Sequence, residues 1–274
     1  MDATEQVRAM AMLGQFNDGM TRVFDTAFGT EWAEIEDILV ITAVATDPAM
    51  TTRRLADVTG LQRRTLSRMI SHLRSDGLVT TQPSADDRRA VHISLTVLGE
   101  RRTSVLRTAI SDFFRDCAEL AQHLCVTLGP VAPPPAPEVL TDPVDLLRRF
   151  CEAGVALVRF MPDVATHGQL AARQRAALVQ ITFQGGVRPS ELSPSLGVSR
   201  AGVAYIIDQL CAKRLVTRVR GAVPEDRRAV VLSPTEDGVD AVHAVMSGIE
   251  QQREALAHLF AHIVRHPTLA AVTS

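Results

Sequence analysis

The chain of 274 residues contains two copies of one segment, and this internal repeat restricts the folds that it can adopt. The stretch DDRRAVHISLT, Asp86 to Thr96, returns as EDRRAVVLSPT at Glu225 to Thr235. A shift of 137 positions (192 − 55) aligns Leu55 with Leu192, and further along the shift becomes 139 (226 − 87). The change of two residues falls in a loop, where insertions cost little. The match covers roughly fifty residues in each half and predicts two similar structural units.

A proline-rich segment, GPVAPPPAPEVLTDP at Gly129–Pro143, separates the two copies. Its prolines favour an extended spacer of about 3.1 Å per residue, so that the segment spans at most about 45 Å. We therefore predict a first unit at 1–129, a linker at 130–143, and a second, diverged unit at 144–274.

Each half has the pattern of a mainly helical unit with one small β-hairpin. The first half opens with a long helical pattern at Asp2–Phe28, where Asp2 and Glu5 have the spacing of a capping box. A second helix and a short third, which begins near Thr52, precede a fourth helix at Gln62–Asp76. Helices joined by a tight turn (TGL, and LGV in the second half) predict a helix-turn-helix. Alternating β-branched residues around the basic turn that follows predict a hairpin, called the wing below.

Apolar residues at helical spacing predict which faces of these helices are buried. The stripe on the fourth helix consists of Leu66, Met69, Ile70 and Leu73, and the second half repeats it with Val203, Ile206, Ile207 and Leu210. A long closing helix ends each half. In the first half its apolar face is too wide and too long for one small head to cover, which predicts packing against another helix. That face consists of Val105, Leu106, Ile110, Phe113, Phe114, Cys117, Leu120, Leu124 and Leu128.

The segment LADVTGLQRRTLSRMISHLRSDGLV, followed by DDRRAVHISLTVLG, resembles the MarR/SlyA family of winged-helix regulators. The resemblance covers nearly all of the first half and most of the second. Members of that family are ordinarily homodimers, whose terminal helices interlock while two winged heads hold DNA. The resemblance implies two tandem winged helix-turn-helix units, with long N- and C-terminal helices packed into a pseudo-twofold helical core. The chain would then be two fused protomers, a monomer that acts as a pseudo-dimer.

Polar side chains on the fourth helix avoid its apolar stripe and are candidate base readers. The first turns of such a recognition helix reach base edges in the major groove. Arginine can bridge guanine O6 and N7, and glutamine can do the same for adenine N6 and N7. A solvated charged face is the alternative interpretation. The candidates are Gln62, Arg63, Arg64, Ser67 and Arg68, and Arg53 and Arg54 on the preceding helix are candidates for phosphate contacts.

The repeated basic turn lies at the tip of the predicted hairpin, where Arg88 and Arg89 follow Asp86 and Asp87. The family resemblance implies that a wing arginine enters the minor groove while Asp87 braces the basic side chains. A narrow minor groove concentrates negative potential and attracts a guanidinium. The alternative is a local surface salt bridge, worth under about 1 kcal/mol.

The second head departs from this pattern. Its recognition helix offers Ser199 as a cap and then Arg200 and Tyr205, so that one arginine stands where the first has three. Arg214 replaces Gly77. We expect a head that holds the backbone and the minor groove but reads fewer bases. Its wing stays basic, with Arg218, Arg220, Arg227 and Arg228, and Asp226 takes the bracing position.

Composition and motifs favour neither an enzyme nor a membrane protein. The net charge is −2, but of the 29 basic residues only Lys213 is lysine, and arginine suits guanine edges and phosphates better than lysine does. The sequence has no GxSxG, HExxH, phosphate-binding glycine loop or cysteine–histidine constellation. No apolar run approaches about 20 residues, and the N-terminus lacks the order of a signal peptide. We expect a cytoplasmic protein, associated with the nucleoid when bound to DNA.

The cysteines and histidines predict no metal or cofactor. The cysteines have no zinc spacing, and His258 and His262, at i and i+4, lack a third ligand. A thiol pair that senses oxidants, drawn from Cys117, Cys125 and Cys151, stays open as an alternative. Trp32, the only tryptophan, is expected in the core. The family resemblance allows a small aromatic or phenolic effector.

The sequence therefore predicts a regulator of transcription that binds double-stranded DNA sequence-specifically at an asymmetric operator. Repression, with release by a small-molecule effector, follows the commoner mode of the resembled family. The alternative is a winged-helix module that binds a protein partner, with reduced or one-headed DNA binding. The outward arginines of the first recognition helix favour DNA, because a protein-binding surface would expose apolar residues there.

Overall fold

The computed structural model describes residues 3–31, 33–83, 91–130, 141–158, 170–196, 198–220 and 229–265. Within them the chain is mainly helical, with two antiparallel two-stranded sheets, as predicted. The first sequence half contains α1 Ala3–Phe28, α2 Ile35–Thr46, α3 Thr52–Thr59, α4 Arg63–Ser75, β1 Val79–Pro83, β2 Val91–Leu95, α5 Val97–Asp116 and α6 Ala118–Leu128. The second contains α7 Pro143–Val158, α8 Ala172–Gln184, α9 Pro189–Leu196, α10 Arg200–Ala212, β3 Val216–Arg220, β4 Val230–Pro234 and α11 Glu236–Arg265.

The two halves repeat one another at the level of single hydrogen bonds. The backbone N–H of Thr96 donates to the carbonyl of Leu78 at 3.0 Å, and Thr235 donates to Leu215 at the same distance. These pairs differ by the shifts found in the sequence, 137 (215 − 78) and 139 (235 − 96). We call α2–α4 with β1 and β2 the first head, and α8–α10 with β3 and β4 the second head.

A close approach between the hairpin and the closing helix explains why glycine stands at the start of that helix in both halves. Gly99 N–H donates to the Thr96 hydroxyl at 3.1 Å, and a Cβ on Gly99 would lie 2.1 Å from the carbonyl oxygen of Leu78. A Cβ on Gly238 would lie 2.2 Å from the carbonyl oxygen of Leu215. No larger residue fits at either place without moving the backbone.

Each wing is bonded to the segment that precedes the first helix of the helix-turn-helix. Ile93 of β2 donates its N–H to the carbonyl of Met50 at 2.9 Å. Leu232 of β4 and Val187 exchange two such bonds, at 2.8 and 3.0 Å. Ile93 and Leu232 are also fully buried, so backbone bonds and apolar packing together fix the base of each wing.

Contacts divide the chain into two compact units that do not follow the sequence halves. The larger unit contains residues 11–155 and 253–274, and the smaller contains residues 1–10 and 156–252. The first head lies in the larger unit and the second head in the smaller. Most of α7 and the end of α11, which come from the second sequence half, therefore belong to the unit that holds the first head.

An aromatic cluster lies in the core of the larger unit. The Phe16 ring lies with its centroid 5.4 Å from Phe113, 6.3 Å from Phe114, 4.7 Å from Phe150 and 4.9 Å from Phe260. Phe150 belongs to α7 and Phe260 to α11, so the second sequence half contributes two of the five rings. The prediction that the apolar face of the closing helix packs against other helices is confirmed.

Polar contacts support the same packing within the larger unit. Arg107 on α5 makes a two-pronged ion pair with Asp142, just before α7, with both N···O distances at 3.2 Å. Arg253 on α11 donates to the carbonyl of Leu128 at 3.1 Å, which satisfies an acceptor left open at the end of α6.

The closing helix of the first half differs from the prediction in two details. It is not continuous: α5 ends at Asp116 and α6 begins at Ala118, and at Cys117 between them φ is −91° and ψ is 12°. Val105, predicted on the apolar face, is 55% exposed, while Leu106 is fully buried. Successive residues are about 100° apart around a helix, so the neighbour of a central core residue is carried toward solvent. The closing helix of the second half, α11, runs unbroken over 30 residues.

Candidate nucleic-acid interface

The polar face of α4 is exposed, because the opposite face packs into the first head. Leu66, Met69 and Ile70 are buried as predicted, and Leu73 is half-buried. Gln62 lies in an extended conformation at the N-cap and α4 begins at the next residue. The predicted base readers Gln62, Arg63, Arg64, Ser67 and Arg68 are all exposed.

The three arginines of this face differ in their surroundings. Arg63 and Arg64, in the first turn, make no ion pair with any described residue. Arg68 lies one turn further along, close enough to the carboxylate of Asp37 on α2 to affect it. Burial raises the pKa of Asp37, whereas the charges of His72 and Arg68 lower it. Arg63 and Arg64 are therefore more available to an incoming anion than Arg68 is.

Arg53 and Arg54, the predicted phosphate contacts, are exposed on the first turn of α3. The Arg54 guanidinium lies 2.8 Å from a carboxylate oxygen of Asp47, which leaves 59% of the arginine side chain exposed. The Thr51 hydroxyl caps α3 by accepting the N–H of Arg54 at 3.1 Å. Because threonine supplies the cap, the side chain at position 54 is free to carry a positive charge.

In the second head a negative charge replaces this positive charge on the first helix of the helix-turn-helix, a difference that was not predicted. Ser190 and Glu191 occupy the positions of Arg53 and Arg54 at the shift of 137. Glu191 accepts the backbone N–H of Arg188 at 2.8 Å. Arg188 stands where the first head has its capping threonine and has no side-chain acceptor. The Glu191 carboxylate instead makes the other bond of a capping box, to the N–H of the residue before α9. Applying the shift to α3 as well as to α4 would have found this difference.

The outer face of α10 is small and nearly neutral. Ser199 accepts the N–H of Gly202 at 3.2 Å, so its predicted role as the cap is confirmed. Arg200 is exposed at the start of the helix, and Ala201 and Ala204 follow it on the exposed face. Tyr205, in the position of Arg68, is 64% exposed.

Arg218 and Arg220, predicted wing contacts, are exposed on β3, but Arg218 has a partner. Its guanidinium lies 2.5 Å from the carboxylate of Asp208 on α10. The hydrogen bond that Arg218 donates to Asp208 raises the pKa of Arg218. Asp208 was not predicted as part of the site. The sequence shows that Asp208 occupies the position of Ser71 at the shift of 137. It does not show that Asp208 contacts β3, ten residues further along the chain.

The tips of both wings lie outside the described residues, and so does Trp32. The wing residues predicted there are Arg88, Arg89 and Asp87 in the first head, and Arg227, Arg228 and Asp226 in the second. For these side chains the sequence prediction stands untested, and the described strands fix only the base of each wing.

The thiols of the described chain are poorly suited to redox chemistry. Burial raises the pKa of Cys117 to about 12, and it also raises the pKa of Cys125, Cys151 and Cys211. Since the thiolate is the reactive form, these shifts disfavour redox chemistry at the four thiols, of which Cys117 and Cys151 are buried. Among the residues that the structure describes, no three His, Cys, Asp or Glu side chains are grouped as metal ligands. None of the described helices is long and apolar enough to span a membrane.

Two family models match the chain, one in each head. Residues 35–99 match a winged helix DNA-binding domain, and residues 169–229 match the MarR family. The two matched segments contain the helix-turn-helix of each head and lie on either side of the proline-rich segment. No curated protein sequence matches the chain.

Three solved structures are among those similar to the chain. The YusO protein from Bacillus subtilis is 23% identical over 41% of this chain and 72% of its own, with a TM-score of 0.32. A cysteine-to-serine mutant of MarR from E. coli, complexed with operator DNA, is 22% identical over 41% and 79%, with a TM-score of 0.30. A MepR-like protein complexed with pseudoligands is 25% identical over 44% and 87%, with a TM-score of 0.28. Scores this low add nothing to the two family matches.

Proposed function

Because this chain is a MarR-type winged-helix protein with two such units in tandem, we propose that it regulates transcription by binding double-stranded DNA sequence-specifically. The observation that supports this most is the exposed face of α4. Its first turn presents Arg63 and Arg64 without an ion pair to any described residue. A helix that exposes two arginines to solvent at its N-terminal end is suited to bind phosphates and guanine edges.

In this proposal the first head reads bases and the second mainly holds the duplex. The first head offers Gln62, Arg63, Arg64, Ser67 and Arg68 to the major groove, with Arg53 and Arg54 toward phosphates. The second offers only Arg200 and Tyr205 beyond the cap, and its α9 carries Glu191 in place of an arginine. Two sets so different cannot prefer the same bases, so the operator is asymmetric. The basic wing tips, Arg88 and Arg89 in one head and Arg227 and Arg228 in the other, complete the contacts.

In the same proposal a single chain binds DNA as a pseudo-dimer, in place of a homodimer. The aromatic cluster of the larger unit supports this, since Phe150 and Phe260 of the second sequence half pack against Phe16 of the first. Helices that a homodimer would borrow from its partner are supplied here by the chain itself. Repression, with release by a small aromatic or phenolic acid, is the mode that the family resemblance adds.

A second candidate function is a protein-interaction module, in which the second head binds a partner and the first alone binds DNA. The exposed Tyr205, next to Ala201 and Ala204, favours it, since tyrosine is common where proteins bind one another. The charged face of the first head does not share this character, so DNA binding stays the main proposal.

The experiment is a binding titration by fluorescence anisotropy, with the operator first located by genomic footprinting of the purified protein. Affinity should fall steeply with salt, by a slope of about −0.9 for each phosphate contacted. Arg63→Ala or Arg64→Ala should cost about 1–3 kcal/mol and relax base preference at one half-site, while Arg200→Ala costs less. Arg227→Ala should make the salt slope shallower by about 0.9 if the second wing engages.

The matched control is Arg115→Ala, which removes the same charge from the last turn of α5, where Arg115 pairs with Asp112. A single exposed charge outside the heads is largely screened above about 0.1 M salt, so this variant should bind like the parent. Unchanged affinity and base preference in both Arg63→Ala and Arg64→Ala would contradict the proposal.

A further inference from the structure

The second head holds one of its wing arginines in an ion pair that the first head does not have. The Arg218 guanidinium on β3 contacts the Asp208 carboxylate on α10, at 2.5 Å. Both side chains are open to solvent, the arginine by 43% and the aspartate by 63%. The pair therefore lies on the surface that the second recognition helix and its wing share.

The corresponding positions of the first head carry no charge. Ser71 replaces Asp208, and its hydroxyl donates within its own helix to the carbonyl of Ser67 at 2.9 Å. Thr81 replaces Arg218. The strands have the same register, since Thr81 lies opposite Ile93 and Arg218 lies opposite Leu232. The ion pair is therefore a feature of the second head at an otherwise equivalent place.

A carboxylate in this place has two effects on an approaching phosphate. It already occupies a donor of the Arg218 guanidinium, so the phosphate must displace it to form the same hydrogen bond. It also carries a like charge, which repels the phosphate at close range. Arg218 is thereby less available to the DNA backbone than a wing arginine without such a partner.

We infer that Asp208 is a positioning residue that sets the affinity of the second head, by holding Arg218 in a surface ion pair and away from phosphate. This inference rests on the proposed function, because it concerns contacts with the DNA backbone. It predicts that the second head binds the DNA backbone less tightly than four unpaired wing arginines would. The effect is assigned to one residue, Asp208, which can be replaced by serine, its counterpart in the first head.

The experiment is a double-mutant cycle in the full chain, with Asp208→Ser, Arg218→Ala and the double variant. The probe is a duplex of random sequence, titrated by fluorescence anisotropy at several salt concentrations. Asp208→Ser should steepen the salt slope by about 0.9, so that the affinity gain over the parent changes by about 3.5-fold between roughly 50 and 200 mM salt. Arg218→Ala should have little effect alone, because the arginine is already occupied. In the Asp208→Ser background it should remove the whole gain.

The first head provides the matched control. Thr81→Arg alone should steepen the slope by about 0.9, and adding Ser71→Asp should cancel that gain. Thermal unfolding of each variant, by circular dichroism, shows that the fold is intact. A merely structural role of Asp208 would change the melting temperature and leave the salt slope unaltered.

Two results would overturn the inference. One is a gain in Asp208→Ser that persists in full without Arg218, which would be a general effect of net charge. The other is a loss of affinity in Asp208→Ser, as expected if the carboxylate accepted a hydrogen bond from cytosine N4. Elution from immobilised heparin, a sulfated polyanion, distinguishes a failure of this inference from a failure of the proposed function. If the parent chain does not bind duplex DNA, a later elution of Asp208→Ser that depends on Arg218 still supports the ion pair, and an unchanged elution refutes it.

Discussion

Truncation of Phe260 to alanine should destabilise the unit that contains the first head, although Phe260 lies near the other end of the chain. The side chain is fully buried, and its ring centroid lies 4.9 Å from Phe16 and 4.9 Å from Phe150. Removing a buried phenylalanine costs about 3–5 kcal/mol, through lost transfer free energy and the cavity that remains. The high end applies here, because four rigid rings cannot easily collapse into the space. At about 5 kcal/mol, the melting temperature of a unit of this size should fall by about 10–20 °C.

The assay is urea and thermal unfolding followed by the fluorescence of Trp32, the only tryptophan, which lies in the sequence between α1 and α2. The reporter and the mutated residue are 228 positions apart (260 − 32). Val126→Ala is the control, since Val126 is 70% exposed and its truncation should change stability by less than about 0.5 kcal/mol. A Trp32 transition that is unchanged in Phe260→Ala would refute the claim that the second sequence half helps to build the core around the first.

Two further predictions concern stability alone. Arg214 has a φ of +57° where the first head has Gly77 at +69°, so Arg214→Gly should stabilise the protein by about 1 kcal/mol and Gly77→Ala should destabilise it by a similar amount. Thermal melts of both variants test this, and equal melting temperatures would contradict it. Burial raises the pKa of Asp18 on α1 from 3.8 to about 6, so the folded state binds its proton more tightly and stability falls as pH rises across that interval. Asp18→Asn should therefore gain stability over the parent between about pH 4 and 6 and keep the gain above it, and a difference that does not vary with pH would contradict this.

The repeat made much of the fold predictable, because it fixed the same local features twice. The buried stripe of α4 and the cap at Ser199 follow from residue type and spacing. Each depends on contacts within one element or with the next element along the chain. Local contacts of this kind can be predicted from the order of the residues.

Two other features could not be predicted, because they depend on contacts with elements distant in the sequence. Val105 and Leu106 are equally apolar, and only the position of the neighbouring helices decides that Val105 faces solvent. Arg218 was predicted as a wing contact, because nothing in its own strand shows that Asp208 on α10 pairs with it. A residue-by-residue comparison of the two heads finds the change from Ser71 to Asp208, but the ion pair itself requires the fold.

The central claim, that one chain carries two winged heads of unequal base preference, is tested most directly by selection of binding sites from random duplex DNA with the full-length protein. A homodimer presents identical helices and selects palindromes, with half-sites about 10 bp apart or a multiple of that. Here one half-site should be well defined and contain guanine, in keeping with Arg63 and Arg64, and the other should be degenerate, in keeping with Arg200, Ala201 and Ala204. A perfect palindrome with equal information in both halves would contradict the account.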